Sequence, residues 1–360
     1  MYSRFGLTLV VNHACNLRCT YCYTGEKVSR RLPPTVGRKA IDRGLQSLIR
    51  GGQLDLAFFG GEPLIEPEVI LELAVYARAN AARREIQLAL HMTTNAVVDS
   101  QAAWSVMMLP EMQLAVSCDG LPAVHDQCRV TAEGRPTSEK VLETIGRLIQ
   151  NQRDFSAVMV VRPDNLAQLP AGMKFLYECG VRRFNPSLDL WTHWTRADGE
   201  RLIAAVSHAA DFWAERLPDC AVSWFDEKAA RLMQAPLTES ARCGFGVGEI
   251  AVTPQGNLYP CERLIAADEP DNPMRLPGTV FEGDDFWRGE PRHEVSHDAC
   301  QPCSLKPWCS TVCRCSNYIR TRDTTRPDAL LCLWDQACYR ETVRTLQARS
   351  SVYADEGSIR

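Results

Sequence analysis

The chain has 360 residues, 45% of them hydrophobic and 23% charged, with a formal net charge of −4. That is apolar matter for one large core or two smaller ones, and the charge balance excludes a protein built to grip nucleic acid or an anionic membrane surface. Its longest apolar runs, such as Leu7–Val11 and Leu54–Phe59, are too short to span a bilayer, and Met1–Leu9 lacks the pattern of a signal peptide. A cytoplasmic protein is expected.

From the N-terminus, short apolar runs alternate with amphipathic stretches. The runs are Leu7–Val11, Leu54–Phe59, Leu88–Thr94, Leu114–Ser117, Ala157–Val161 and Arg183–Ser187. The stretches are Thr35–Arg50, Pro67–Ala82, Ser100–Met108, Ser138–Gln150, Leu169–Cys179 and Arg196–Leu217. Near-continuous apolar strands separated by helices predict a parallel sheet covered on its face. Six strand–helix units predict an α/β fold, a partial and open (β/α)6 barrel of TIM-like type, over residues 1–217. The texture changes near Ala235–Cys243, so 218–242 is expected to bridge to a small cysteine-rich domain at 243–349. There Pro270–Gly278 is a predicted loop and Leu330–Gln347 a predicted closing helix. The polar tail 350–360 is expected to fray.

The chain has 16 cysteines: three in Cys15–Cys22, nine in Cys243–Cys338, and Cys118, Cys128, Cys179 and Cys220 scattered between. In a reducing compartment, such density points to metal or catalysis rather than disulfides. The scattered four read as small buried hydrophobes. The segment Asn12–Tyr23, NHACNLRCTYCY, places Cys15, Cys19 and Cys22 in a C-x3-C-x2-C pattern directly after the first strand. Thiolates are the natural ligands of iron–sulfur clusters. Three cysteines leave one iron of a cubane open to chelate a substrate, at the strand end where barrels of this type build active sites. Zinc is the competing ligand chemistry for such a triplet.

This spacing, with Tyr21 before the last cysteine, resembles the signature of the radical S-adenosylmethionine superfamily. The resemblance implies a [4Fe–4S] cluster that binds S-adenosylmethionine at its open iron and cleaves it to a 5′-deoxyadenosyl radical, with Tyr21 packing near the adenine. Gly60-Gly61-Glu62-Pro63 resembles the family's GGEP element, which contacts the methionine amino group. Asn95 resembles its TN element. Ser117 and Asp119, with the downstream Arg129, resemble the elements that contact the cofactor's ribose and carboxylate region. All fall at the ends of successive predicted strands. His13 and His125 read as loop residues rather than ligands.

The C-terminal third reads Cys243-x12-Gly256-x4-Cys261, Cys300-x2-Cys303-x5-Cys309-x3-Cys313 and Cys332. It resembles the SPASM extension of peptide- and protein-modifying radical enzymes. The resemblance implies two auxiliary [4Fe–4S] clusters, three in all: a nearer one on Cys243, Cys261 and Cys313, and a farther one on Cys300, Cys303, Cys309 and Cys332. The nearer cluster's fourth ligand stays open, with Cys315 and Cys338 as candidates. By analogy with sulfatase maturases, Glu262 is a candidate base, against the plainer reading of a surface glutamate. The expected substrate is a ribosomally made precursor peptide or a protein, oxidatively modified and most simply crosslinked. A flavodoxin- or ferredoxin-type donor is expected. With 14 residues before Cys15, leader recognition is expected from a separate protein or from the barrel mouth. The alternatives are formylglycine formation of the anaerobic sulfatase-maturase kind, and a non-enzymatic iron–sulfur electron carrier or zinc-binding protein.

Overall fold

The computed structural model describes residues 1–233, 244–289, 298–309 and 313–357, the side chains of 299, 307 and 350–357 apart. In chain order the elements run β1 (Tyr2–Asn12), α1 (Pro34–Gln46), β2 (Leu48–Gly60), α2 (Pro67–Arg83), β3 (Gln87–Thr94), α3 (Gln101–Met107) and β4 (Met112–Ser117). Next come α4 (Pro122–Cys128), α5 (Ser138–Gln150), β5 (Phe155–Val161), α6 (Leu169–Glu178), β6 (Arg183–Leu188) and α7 (Arg196–Arg216). The last are β7 (Ala221–Val222), α8 (Ser223–Leu232), β8 (Glu249–Val252), β9 (Leu258–Tyr259), α9 (Arg314–Thr321) and α10 (Ala329–Gly357). The expected α/β architecture, with a sheet dominated by parallel pairs, is the one observed.

Two compact units divide the chain, each assembled from three stretches. The first comprises Met1–Ser117, Asp126–Phe155 and Arg242–His293. Here β1, β2, β3 and β4 pair in parallel, each with the next. On the other side of β1 lies β8, also parallel, and β9 returns antiparallel beside β8. Leu7, Leu9, Leu54, Leu56, Phe58 and Leu90 are essentially inaccessible. Burying each such side chain contributes about 1.5–3 kcal/mol. Helix starts follow local chemistry. Pro34 opens α1 at a position whose N–H has no helical partner anyway, and Ser100 caps α3 by accepting from the Ala103 N–H at 3.1 Å.

The second unit comprises Cys118–His125, Ser156–Ala241 and Glu294–Arg360. In it β5 pairs with β6 and β6 with β7, all in parallel. Thr195 and Asp198 form a reciprocal capping box at the start of α7.

Several expectations are corrected. The first helix stops at Gln46, because Leu48–Gln53 extend β2 and pair with the start of β1; long-range pairing overrides the local pattern there. His125 lies in α4 with no exposed surface rather than in a loop. The closing helix runs to Gly357 rather than stopping at Gln347; Gln347–Asp355 holds no Gly or Pro to stop it. Strands β8 and β9 were not expected, since four and two residues are too short for periodicity to reveal. Among the described residues, no helix is long and apolar enough to cross a membrane.

Candidate active site

In the first unit, the strand ends converge on the three-cysteine loop. The chain leaves β1 at Asn12 and returns at Arg30–Leu32: His13 N–H donates to the Arg30 carbonyl at 3.3 Å and Leu32 N–H to the Val11 carbonyl at 2.8 Å. Between these points the loop is pinned to the segment after α4. Arg18 N–H donates to the Val130 carbonyl at 2.7 Å and Thr20 N–H to the Cys128 carbonyl at 3.0 Å. Leu17 is buried beneath it. Cys22 N–H closes a turn on the Cys19 carbonyl at 3.1 Å.

The end of β2 lies directly against this loop. Gly61 N–H donates to the Asn12 carbonyl at 3.2 Å, and Glu62 N–H to the Ala14 carbonyl at 2.9 Å. A side chain has no room: a Cβ on Gly61 would lie 2.2 Å from the Ala14 oxygen, and one on Gly60 2.4 Å from the Asn12 oxygen. The paired glycines are therefore required for close backbone approach.

Glu62 is 1% exposed. Its carboxylate accepts from Leu64 N–H at 3.0 Å, Thr94 Oγ1 at 2.7 Å and Asn95 N–H at 2.7 Å. Burial pushes its pKa up to about 7, against the pull of these three donors. Asn95 Nδ2 in turn donates to Asn16 Oδ1 at 2.8 Å and lies 3.7 Å from Cys15 Sγ. Glu62 thus ties the ends of β2 and β3 together, and Asn95 ties β3 to the loop. Glu62→Gln would turn an amide NH2 toward a backbone N–H, of Leu64 or of Asn95, whichever way the amide is placed. It is expected to destabilise the protein by about 2–3 kcal/mol, read as a lower denaturation midpoint at unchanged m-value.

The sulfurs are hydrogen-bonded. Cys15 Sγ accepts from Leu17 N–H at 3.3 Å, and Cys22 Sγ from Lys27 Nζ at 3.1 Å. Burial pushes the Cys15 thiol up to about 11. At Cys22 burial also opposes ionisation, but Thr24 and Lys27 outweigh it and hold the thiol below its ordinary value. Donors aimed at sulfur are what a cluster thiolate needs. Three thiols on one loop, with donors aimed at the sulfurs of Cys15 and Cys22, are a donor set that fits a cluster.

The other expected cofactor contacts lie on several elements. Tyr21 sits under the Arg129 guanidinium, 5.3 Å from ring centroid to Cζ, and Arg129 is itself buried. Ser117 ends β4, and Pro63 opens a 3-10 turn after the glycines. In the second unit, Asp119 Oδ1 accepts from Val160 N–H at 2.9 Å, and the Asp119 N–H donates to His125 Nδ1 at 3.3 Å. His125 is thus a buried brace for the turn that presents Asp119. His13 is also buried, and burial, then the Arg30 charge, lowers its pKa; both favour neutral imidazole.

Of the second cysteine group, Cys243 lies outside the described residues. Cys261, in the first unit, is buried, with its Sγ 3.5 Å from the Glu262 carboxylate. The segment that follows it packs on the cysteine loop: Arg30 Nη1 donates to the Ala267 carbonyl at 3.0 Å. Asp268 accepts from Tyr259 at 2.8 Å and from Asn257 at 3.0 Å, fixing that segment on β9. Sequence reasoning missed Asn16, Lys27, Arg30 and Asp268: Asn16 and Arg30 have partners 79 and 237 residues away, and the nearer partners of Lys27 and Asp268 follow no periodic pattern.

Cys300, Cys303, Cys309 and Cys332 all belong to the second unit. Burial pushes the Cys332 thiol up to about 11, followed by the nearby Cys309, Cys300, Asp335 and Cys303. Cys313 Sγ lies 3.3 Å from Cys315 Sγ, which is buried. Cys338 is fully buried and its thiol is pushed well above the ordinary value, first by that burial; it reads as an inert core residue.

A family model described as the radical SAM superfamily matches residues 9–176. An uncharacterised protein of Methanocaldococcus jannaschii is 29% identical over 176 residues, covering 49% of this chain and 59% of its own. A serine-type anaerobic sulfatase-maturating enzyme of Klebsiella aerogenes is 24% identical over 285 residues, covering 72% of this chain and 66% of its own. The chain thus spans only about three fifths to two thirds of these two relatives' length. Among solved structures, anSMEcpe with bound AdoMet and Kp18Cys peptide superposes with a TM-score of 0.78 at 18% identity, covering 96% of this chain and 99% of that one. Streptococcus suis SuiB bound to precursor peptide SuiA gives 0.61 at 14%, covering 91% and 75%. At these identities the superpositions establish the fold.

Proposed function

We propose that this chain, which carries a radical S-adenosylmethionine domain, is a maturase that oxidatively modifies side chains of a peptide or protein, with crosslinking of a ribosomally made precursor as the leading reaction. One observation carries the reading: two glycines and a buried glutamate bind the ends of β2 and β3 directly onto a loop whose cysteine sulfurs accept hydrogen bonds. When bound, the N-terminal cluster supplies the electron that cleaves S-adenosylmethionine, giving a radical that removes hydrogen from the peptide.

The residues have distinct tasks. Cys15, Cys19 and Cys22 hold the N-terminal cluster. Gly60 and Gly61 let the end of β2 pack on the cysteine loop at the methionine end of the cofactor, Glu62 and Pro63 fix that backbone, and Asn95 fixes Cys15 beside it. Tyr21 is assigned to the adenine, and Ser117, Asp119 and Arg129 to the cofactor's ribose and carboxylate region. Cys243, Cys261 and Cys313 hold the nearer auxiliary cluster, with Cys315 as the thiol best placed beside Cys313. Cys300, Cys303, Cys309 and Cys332 hold the farther one. A reducing, cytoplasmic setting accords with 16 cysteines in one chain, and a flavodoxin- or ferredoxin-type donor would supply the electron.

Formylglycine formation is the second reading, and the sulfatase-maturating relatives favour it. Anaerobic incubation with candidate precursor peptides and with sulfatase peptides, followed by tandem mass spectrometry, separates the two. Both products lose hydrogen, but only formylglycine carries an aldehyde that a hydrazine traps. A crosslink instead suppresses backbone fragments between the joined residues. Absence of either product on every peptide class would defeat the proposal.

Glu262 is proposed as the base that takes the substrate's proton. Glu262→Gln is expected to lower product formation about 100-fold while leaving 5′-deoxyadenosine release intact. Unchanged product formation removes the role.

A further inference from the structure

Lys228 on α8 and Asp335 on α10 are each 3% exposed. Charged side chains are seldom buried so deeply unless paired. Lys228 Nζ donates to Asp335 Oδ1 at 2.5 Å. The same ammonium donates to the Trp308 carbonyl at 2.9 Å, and Trp308 precedes Cys309. Nearly one turn along α8, Arg231 Nη1 donates to that carbonyl at 3.2 Å and to the Cys309 carbonyl at 3.0 Å. Asp335 stands three residues after Cys332 on α10, on the same face of the helix. A buried ion pair therefore clasps the backbone that carries Cys309 to the helix that carries Cys332.

Stability alone does not account for this pair, because well-packed apolar residues of similar volume usually serve a core as well or better. What charge adds here is direction and sign. The ammonium bonds a carbonyl one residue from a cysteine, and with Arg231 it places positive charge against the backbone of Trp308 and Cys309.

We propose that Lys228 and Asp335 are positioning residues for the farther auxiliary cluster, fixing the separation of Cys309 and Cys332 and setting the charge the cluster feels. The proposal rests on the assignment of Cys300, Cys303, Cys309 and Cys332 as that cluster's ligands. Outer partners of this kind orient ligands and tune the potential of the metal group they surround.

The test uses the full chain, reconstituted anaerobically with iron and sulfide. Replacing the pair together, Lys228→Met with Asp335→Leu, leaves no lone buried charge. The unreconstituted double variant is expected to melt with the wild-type protein, yet to take up about a third less iron, one cubane of three, and to lose one electron paramagnetic resonance signal on reduction. Lys228→Arg alone, which keeps the charge and the donors, is expected to keep the full iron. Asp335→Asn keeps a hydrogen-bond acceptor for Lys228 and removes a negative charge, so it is expected to keep the iron and raise the potential of one cluster. Full iron in the double variant, or Asp335→Asn with no potential shifted, overturns the proposal. A wild-type chain that takes up no more than one cubane overturns the ligand assignment itself, and the proposal with it.

Discussion

Alanine at Cys15, Cys19 and Cys22 together is expected to remove about four irons per chain, one cubane's complement, and to reduce 5′-deoxyadenosine formation to background. The three thiols sit on one excursion of the chain between Asn12 and Arg30, closed at its base by backbone bonds that do not involve sulfur. Leu17 supplies the loop's buried anchor. The variant should therefore keep its fold, and the loss of iron reports ligands rather than collapse. Cys179→Ala is the control: that cysteine is exposed and its loss should leave iron and turnover unchanged. Iron and nucleoside both retained in the triple variant would place the reactive cluster elsewhere.

Gly61→Ala should be nearly as damaging, although it removes no ligand. The added methyl would sit 2.2 Å from the Ala14 oxygen and 2.9 Å from the His13 oxygen. These are backbone atoms that cannot swing aside. Strand end and cysteine loop must separate, at an expected cost of about 3 kcal/mol, and the bonds from Gly61 and Glu62 N–H to the loop are lost with them. The variant is expected to hold the N-terminal cubane poorly and to bind S-adenosylmethionine at least ten-fold more weakly, an order-of-magnitude expectation from a lost backbone hydrogen bond. Gly134→Ala is the comparison, since Gly134 has φ +76° but open space around its Cβ position. Its cost should stay near 1 kcal/mol. Equal effects from the two substitutions would show that the close approach at Gly61 has no particular role.

Much of this was legible in the sequence because it is local. The strand-end motifs at Cys15–Cys22, Gly60–Pro63 and Thr94–Asn95 each lie within a few residues of an apolar run, and alternation of strand and helix brings such ends together. Less legible was what those residues do to one another. Glu62 belongs to an element expected to contact the cofactor; its three hydrogen bonds to Leu64, Thr94 and Asn95 left no signal in the sequence. The extension of β2 back to Leu48 and the short strand β8 exist through pairing with β1, which no window of sequence around them contains. The Lys228–Asp335 pair joins residues 107 apart; in the sequence it is one lysine and one aspartate among many charges. His125 was misread because its turn signals, Asp119-Gly120 and Pro122, open a helix rather than continue a loop.

The central claim is that the cysteine loop and strand ends hold a cluster that cleaves S-adenosylmethionine. It is tested most directly by counting iron and sulfide in anaerobically purified wild-type protein and assaying 5′-deoxyadenosine after reduction with dithionite. About 12 irons per chain, as three cubanes require, together with formation of the nucleoside, is the predicted result. Zinc in place of iron, with no nucleoside formed, would contradict it.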